Sequence, residues 1–420
     1  MPIDHIDTLI IGAGQAGIAM SEHLSGHKID HLVLEKYRIA EHWRSRRWDS
    51  LVANGPAWHD RFPNMKFADT DPHSFVPEEQ VADYFAAYAA QIKAPIRCGV
   101  EVTKVSRHRG QPGFNVETSD GILTARNVVA ATGAFQNPFI PPIVPADAGL
   151  VQIHSSDYRN PEQLPAGAVL VIGAGSSGSQ IAEELLHAGK SVSLSIGPHD
   201  RPPRRYRGRD NVWWLGVLGK WDTASQQPGK ERFTICVSGA NGGRTVDFRR
   251  FAAEGMRLVG MADKYASGTL TFAADLAANI AAGDAGYLAL LDEADAYLEQ
   301  NGIFLPEDPE ARIFGPDPDC LRNPIRHLDL TAAGITSIIW ATGFSADYGW
   351  LQVAGFDPEG KPQHHRGISV EPGIFFLGLP WQSRKASSFI WGVWHDAKYL
   401  ADHIANQRMY RDFYPLPENL

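Results

Sequence analysis

Residues 9–17 read L-I-I-G-A-G-Q-A-G, an apolar run that closes on Gly12, Gly14 and Gly17 at G-x-G-x-x-G spacing. This spacing suits a strand that turns sharply into a helix. The first glycine makes the turn, the second lets backbone approach a pyrophosphate, and the third lets helix and strand pack closely. Behind it Ile18, Ala19 and Leu24 share one helical face, and Gly26 is a natural stop. A helix opening at Gln15 and Ala16 offers free N–H groups and a partial positive charge to phosphates. Residues 31–34 form a second apolar run that ends in Glu35. An acid at the end of that strand, about twenty residues past the glycines, accepts hydrogen bonds from the hydroxyls of an adenosine ribose. One glycine turn alone is a common feature. Strand, turn, helix, strand and acid in order predict a dinucleotide-binding βαβ unit over residues 5–36.

The pattern returns. Residues 168–172 are apolar, and Gly173, Gly175 and Gly178, with Ser176 and Ser177 between them, repeat the turn. Ile181, Leu185 and Leu186 give the buried helix face, with Gly189 as stop. The next strand, residues 191–196, ends without an acid. Arg201, Arg204, Arg205, Arg207 and Arg209 follow it. A ribose 2′-phosphate wants a guanidinium fork and is repelled by a carboxylate. The first turn therefore suits FAD and the second NADPH, with Arg204 and Arg205 as the leading phosphate clamps. A solvated arginine loop is the competing reading. A nucleic-acid patch is disfavoured by the net charge of −9.

Residues 100–105, 114–118 and 128–131 read as strands, the last ending in Ala131-Thr132-Gly133. Residues 338–340 run into Ala341-Thr342-Gly343, and residues 374–377 into Gly378. Helical spacing covers 80–92, 389–404 and most of 270–300, where Gly283 and Gly286 are expected to divide the helix. Prolines cluster at 138–145 and 306–324, as at crossings between domains. The order predicts an α/β chain of two nested doubly wound dinucleotide-binding domains. The FAD domain comprises residues 1–160 and 326–420, and the NADPH domain, 161–325, is inserted into it.

A chain of 420 residues, 44% hydrophobic and 21% charged, is long enough for two full cores. Its three cysteines, Cys98, Cys236 and Cys320, lie far apart, which suggests neither a disulfide framework nor a zinc site. No apolar run is long enough to span a bilayer, and the start of the chain lacks a secretory pattern. A cytoplasmic protein is expected, with small-molecule partners, no nucleic acid and no membrane. Trp213, Trp214, Trp221, Met256 and Met261 mark a region that faces substrate, forms an interface or is plain core.

The two glycine turns with Glu35, and the two A-T-G turns in alternation with them, resemble the class B flavoprotein monooxygenases. The likeness is to the flavin-containing monooxygenases and the YUCCA type, over nearly the whole chain. His154, Ser155 and Tyr158 match the second half of that family's F-x-G-x-x-x-H-x-x-x-Y/F linker. Ala148 and Leu150 stand where its Phe and Gly belong. The resemblance implies FAD at the first turn, with Lys36, Trp43, Arg44, Thr132, Gly133 and Gly378 near it. It implies NADPH at the second turn, and gives Thr342 and Gly343, in the returning part of the FAD domain, as further cofactor-binding residues. Asn54, in S-L-V-A-N-G-P, matches the family's catalytic amide, which would donate to a flavin C4a-hydroperoxide; an ordinary Asn-Gly turn is the alternative. His154 is a hinge or a satisfied interior histidine. Trp381 or Gln382 would line the substrate entrance, with core packing the alternative for the Trp. The implied reaction takes O₂ and transfers one oxygen atom to an amine nitrogen or a sulfide sulfur. Baeyer–Villiger oxygenation and an uncoupled NADPH oxidase or electron-transfer flavoprotein are the alternatives. A disulfide reductase needs a paired dithiol, which the cysteine spacing does not offer.

Overall fold

The computed structural model describes residues 5–225 and 234–413. The first unit forms as β1 (His5–Ile11), α1 (Gln15–Gly26) and β2 (His31–Glu35), with the strands parallel and Ile11 opposite Leu34. Leu9, Ile10 and Val33 are fully buried, as in a parallel sheet covered on both faces. Two of the three glycines are needed by the protein itself. A Cβ at Gly17 would lie 1.8 Å from the Gly12 carbonyl oxygen. Gly12 has φ +108°, and a Cβ there would lie 2.6 Å from the carbonyl oxygen of Ala131.

A short helix, α2 (Glu41–Ser45), follows β2, and α3 (Glu78–Gln91) packs beside α1. Tyr84, Phe85 and Tyr88 of α3 join Ile18, Ala19 and Leu24 of α1 in one core, so the aromatic stripe is packing. The sheet extends through β3 (Ile96–Cys98) beyond β2. On the other side, β4 (Val102–Arg107) and β5 (Phe114–Thr118) reach β1 through β6 (Gly121–Ala130), which is parallel to β1.

The second sheet is wholly parallel. Its members are β7 (Val151–His154), β8 (Ala168–Ile172), β9 (Val192–Ser195), β10 (Arg257–Val259) and β11 (Ile335–Trp340), in the order β10-β9-β8-β11-β7. The second glycine turn leads from β8 into α4 (Ser176–His187), and α5 (Asn211–Val217) follows β9. Nesting is as expected, but the boundaries move. β7 lies inside the stretch 1–160 and β11 inside 326–420, yet both pair in the inserted domain. An apolar run carries no mark of the sheet it will join; the prolines at 138–145 do lie in the crossing from β6 to β7, whereas those at 306–324 precede β11 and so lie before the return crossing.

Residues Thr269–Phe272 are a strand of a small antiparallel sheet, not the start of a helix. The helix, α6 (Leu276–Asn301), is continuous through Gly283 and Gly286. Gly283 makes room rather than a break: a Cβ there would lie 2.6 Å from His199 Nε2. The chain then returns to the first sheet as β12 (Ile374–Phe376), parallel to β6, and ends its described part in α7 (Ile390–Phe413), which packs on α1.

Candidate functional site

Both glycine turns open on a single cavity of about 1050 Å³ between the two domains. Gly12, Gly14, Gln15 and Ala16 line one side of it, and Gly173, Gly175, Ser176, Ser177 and Gly178 the other. Thr132, Gly133, Thr342 and Gly343 line it from the two A-T-G turns, and Gly378 from the end of the return strand. Gly17 does not reach it; its place is the joint between α1 and β1.

The middle glycine of each turn behaves differently from its neighbours. Among the described residues, a Cβ at Gly14 would meet no other atom within 4 Å, and one at Gly175 only Thr234 Cγ2 at 3.5 Å. Protein packing does not require glycine at either position, whereas a ligand lying against the backbone does. Each of these glycines is also the N-cap of its helix, and neither helix has a side-chain cap or an acid in its first turn. Two sets of free N–H groups and two positive helix ends therefore face the cavity. The residues present fit two dinucleotides.

Glu35 lines the cavity with its carboxylate already anchored. Oε2 accepts from the Ala13 N–H at 2.7 Å and Oε1 from the Tyr37 N–H at 2.9 Å. A carboxylate has about four acceptor sites, so capacity remains for ribose hydroxyls. Lys36 and Trp43 line the cavity too. Arg44 turns away and donates to Asp83 on α3 at 2.6 Å. Arg47, which the sequence did not single out, lines the cavity, as do Arg46 and Arg204. It sits 5.4 Å from the Trp43 ring and 5.3 Å from the Phe135 ring, and burial pushes its pKa down to about 10.

Arg204 and Arg205 are placed differently from a phosphate clamp. Arg204 is 3% exposed, pairs with Asp210, and donates through Nη1 to the backbone oxygen of Asn54 at 2.6 Å. Arg205 donates to the carbonyls of Gly242 and Gly243 and does not reach the cavity. The chain after β9 lines the cavity with Gly197 and Pro198. The arginine cluster looked cationic in the sequence because Asp210, Asp284 and Asp295, which pair with Arg204, Arg201 and Arg207, come later in the chain.

Asn54 lines the cavity beside these groups. Its Oδ1 accepts from Gln180 Nε2 at 2.8 Å, and the next N–H, of Gly55, donates to Asp60 Oδ2 at 2.8 Å. Nearby, His59 stacks on Trp221 with ring centroids 5.5 Å apart, and Trp221 meets Phe389 edge-on at 5.2 Å. These rings give one end of the cavity an apolar wall. Trp381 and Gln382 are not part of it. His154 also lies outside it, 1% exposed, bonded to Ser156 Oγ and to the Gly343 carbonyl oxygen, both at 2.9 Å. Burial lowers its pKa, as for a neutral interior histidine.

Among the described residues, no helix is long and apolar enough to cross a membrane, no group of three or more His, Cys, Asp or Glu is arranged to hold a metal, and all three cysteines are free.

Residues 9–207 match the family described as pyridine nucleotide-disulphide oxidoreductase. An uncharacterized CzcO-like oxidoreductase of Geobacillus kaustophilus is 32% identical over 405 residues, covering 96% of this chain and 99% of that protein. A probable indole-3-pyruvate monooxygenase of Arabidopsis thaliana, YUCCA4, is 23% identical over 96% of this chain and 90% of its own length. Among solved structures, a flavin-containing monooxygenase from Stenotrophomonas maltophilia superposes with a TM-score of 0.67 at 18% identity, covering 97% of this chain and all of that one.

Proposed function

This chain belongs to the CzcO-like oxidoreductases of the flavin monooxygenase family, and from that premise we propose that it transfers one oxygen atom from O₂ to a soft nucleophile, an amine nitrogen or a sulfide sulfur. The supporting observation is that two uncapped helix N-termini, each with a glycine that packing does not require, share one cavity with the amide of Asn54. FAD at the first turn supplies electron storage and reactivity toward O₂, and a nicotinamide dinucleotide at the second supplies hydride. The reaction balances as NAD(P)H, a proton, O₂ and substrate giving NAD(P)⁺, water and the oxygenated substrate.

The chain's own contributions are placement and shielding. Glu35 holds an adenosine ribose, and Gly14 and Gly175 admit pyrophosphates onto the backbone N–H groups of α1 and α4. Asn54 Nδ2 would be the amide donor that meets oxygen beside a bound flavin, and its hydrogen bond would stabilise negative charge developing there. The wall of His59, Trp221 and Phe389 excludes water and takes the apolar body of the substrate. NADPH was the expected hydride donor because of Arg204 and Arg205. With both engaged elsewhere, NADH should serve with kcat/KM within about tenfold of NADPH, since a charge-assisted hydrogen bond contributes about 1.5–3 kcal/mol. A preference beyond a hundredfold would reinstate a phosphate clamp.

The deciding experiment is a panel of amines and sulfides with NAD(P)H and ¹⁸O₂ over the purified, FAD-reconstituted protein. One ¹⁸O per product molecule is expected. A protein that refuses FAD, or consumes NAD(P)H and yields only H₂O₂ with every compound, overturns the proposal.

A further inference from the structure

We propose that Gln180 is a positioning residue that sets which end of the Asn54 amide faces the cavity. The inference rests on the reading of Asn54 as a donor to reduced oxygen, and adds the group that makes it one. Gln180 is 7% exposed, on the first turns of α4. Its Nε2 donates to the Val237 carbonyl oxygen at 2.6 Å and to Asn54 Oδ1 at 2.8 Å. The orientation follows from donor and acceptor chemistry. A backbone carbonyl only accepts, so Gln180 must turn its NH₂ toward Val237. The same nitrogen faces Asn54, which must answer with its oxygen. Nδ2 of Asn54 is then left on the other side, with no hydrogen bond to any described residue, in a side chain that lines the cavity. The Arg204 guanidinium holds the Asn54 carbonyl, so the backbone cannot turn in place of the side chain. Because Gln180 stands on the helix that the second glycine turn opens, the amide that meets oxygen is oriented from the nicotinamide-nucleotide side.

Gln180→Glu tests this with almost no change of shape. A carboxylate accepts only, so Asn54 must turn its NH₂ toward residue 180 and present Oδ1 to the cavity. The readout is H₂O₂ released by the FAD-loaded protein in air-saturated buffer with NAD(P)H and no organic substrate. Release at pH 8.5 should rise at least tenfold, close to the rise in Asn54→Ala. Gln180→Met, which has neither donor nor acceptor there, should leak as well. In the cofactor-free protein, the losses in unfolding midpoint of Asn54→Ala and Gln180→Met should be less than additive in the double variant. If Asn54→Ala leaks while neither Gln180 variant does, or if the midpoint losses add, the positioning role is wrong and the reading of Asn54 stands. If Asn54→Ala does not leak, the reading beneath it fails as well.

Discussion

Arg204 and Asp210 form an ion pair whose two side chains are only 3% and 11% exposed. The pair has two further duties: Asp210 Oδ1 also caps α5 by accepting from the Val212 N–H at 3.0 Å, and Arg204 holds the Asn54 carbonyl. Removing one partner of such a pair leaves the other buried and charged, which costs about 3–5 kcal/mol. Arg204→Met should therefore lower urea-unfolding stability by about that amount. Arg204→Met with Asp210→Asn, which keeps a capping oxygen without the charge, should recover part of the loss. Equal stability of the single and double variants would mean that the charge of Asp210 is not the source of the cost. At this scale a sequence makes legible the placement that near neighbours set. Glu35 could be placed because strand, turn and acid lie in one βαβ unit. Arg204 could not, since its role depends on a carbonyl 150 residues away.

The helix α6 contains a natural experiment on glycine. Both Gly283 and Gly286 lie inside it, and sequence reasoning treated them alike, as breaks. Their surroundings differ. A Cβ at Gly286 would meet nothing within 4 Å, while one at Gly283 would meet His199 Nε2 at 2.6 Å. Alanine is favoured over glycine by about 1 kcal/mol in a helix interior. Gly286→Ala should accordingly stabilise the protein by roughly 0.5–1 kcal/mol, and Gly283→Ala should destabilise it. Adding His199→Ser to Gly283→Ala should remove most of that clash, so the two changes together should be less harmful than their sum. Additive losses in thermal unfolding would show that the contact is not the cause. The same limit governs strands. β8 and the turn after it were legible to the residue, because apolar run and glycines identify each other. β11 was legible as a strand but not as a member of the inserted domain, and β7, only four residues long, was not read as a strand at all, since pairing depends on the register of chains far apart in sequence.

Across the whole molecule the nested order was legible because each domain carries its own glycine turn and its own A-T-G turn. The electrostatics were not, because they depend on burial. His31 in the first domain and His154 and His199 in the second are all under 9% exposed, and burial lowers the pKa of each. Their hydrogen bonds suit the neutral ring. Nδ1 of His31 donates to the Ile29 carbonyl while Nε2 is left for the Ser21 hydroxyl. Nδ1 of His199 donates to the Gly197 carbonyl, and its Nε2 has no partner among the described residues. In the unfolded chain these rings take up protons below about pH 6.5; in the folded protein they resist until a lower pH. The unfolded state thus binds more protons in that window, so stability rises with pH through it. It should be level from pH 7 to 8.5, fall as pH drops below about 6.5, and go on falling until the folded rings themselves titrate. Each histidine contributes up to about 1.4 kcal/mol per pH unit over its window. Paired carboxylates such as Asp295 and Asp402, whose pKa values are lowered, contribute only in more acid solution, so the two effects separate on the pH axis. Unfolding free energy measured in urea from pH 8.5 to 5 is the check. His199→Gln should flatten the slope between pH 6.5 and 5 by one proton's worth, and a wild-type curve that stays level to pH 5 would show that these rings take up protons as readily in the folded state as in the unfolded chain.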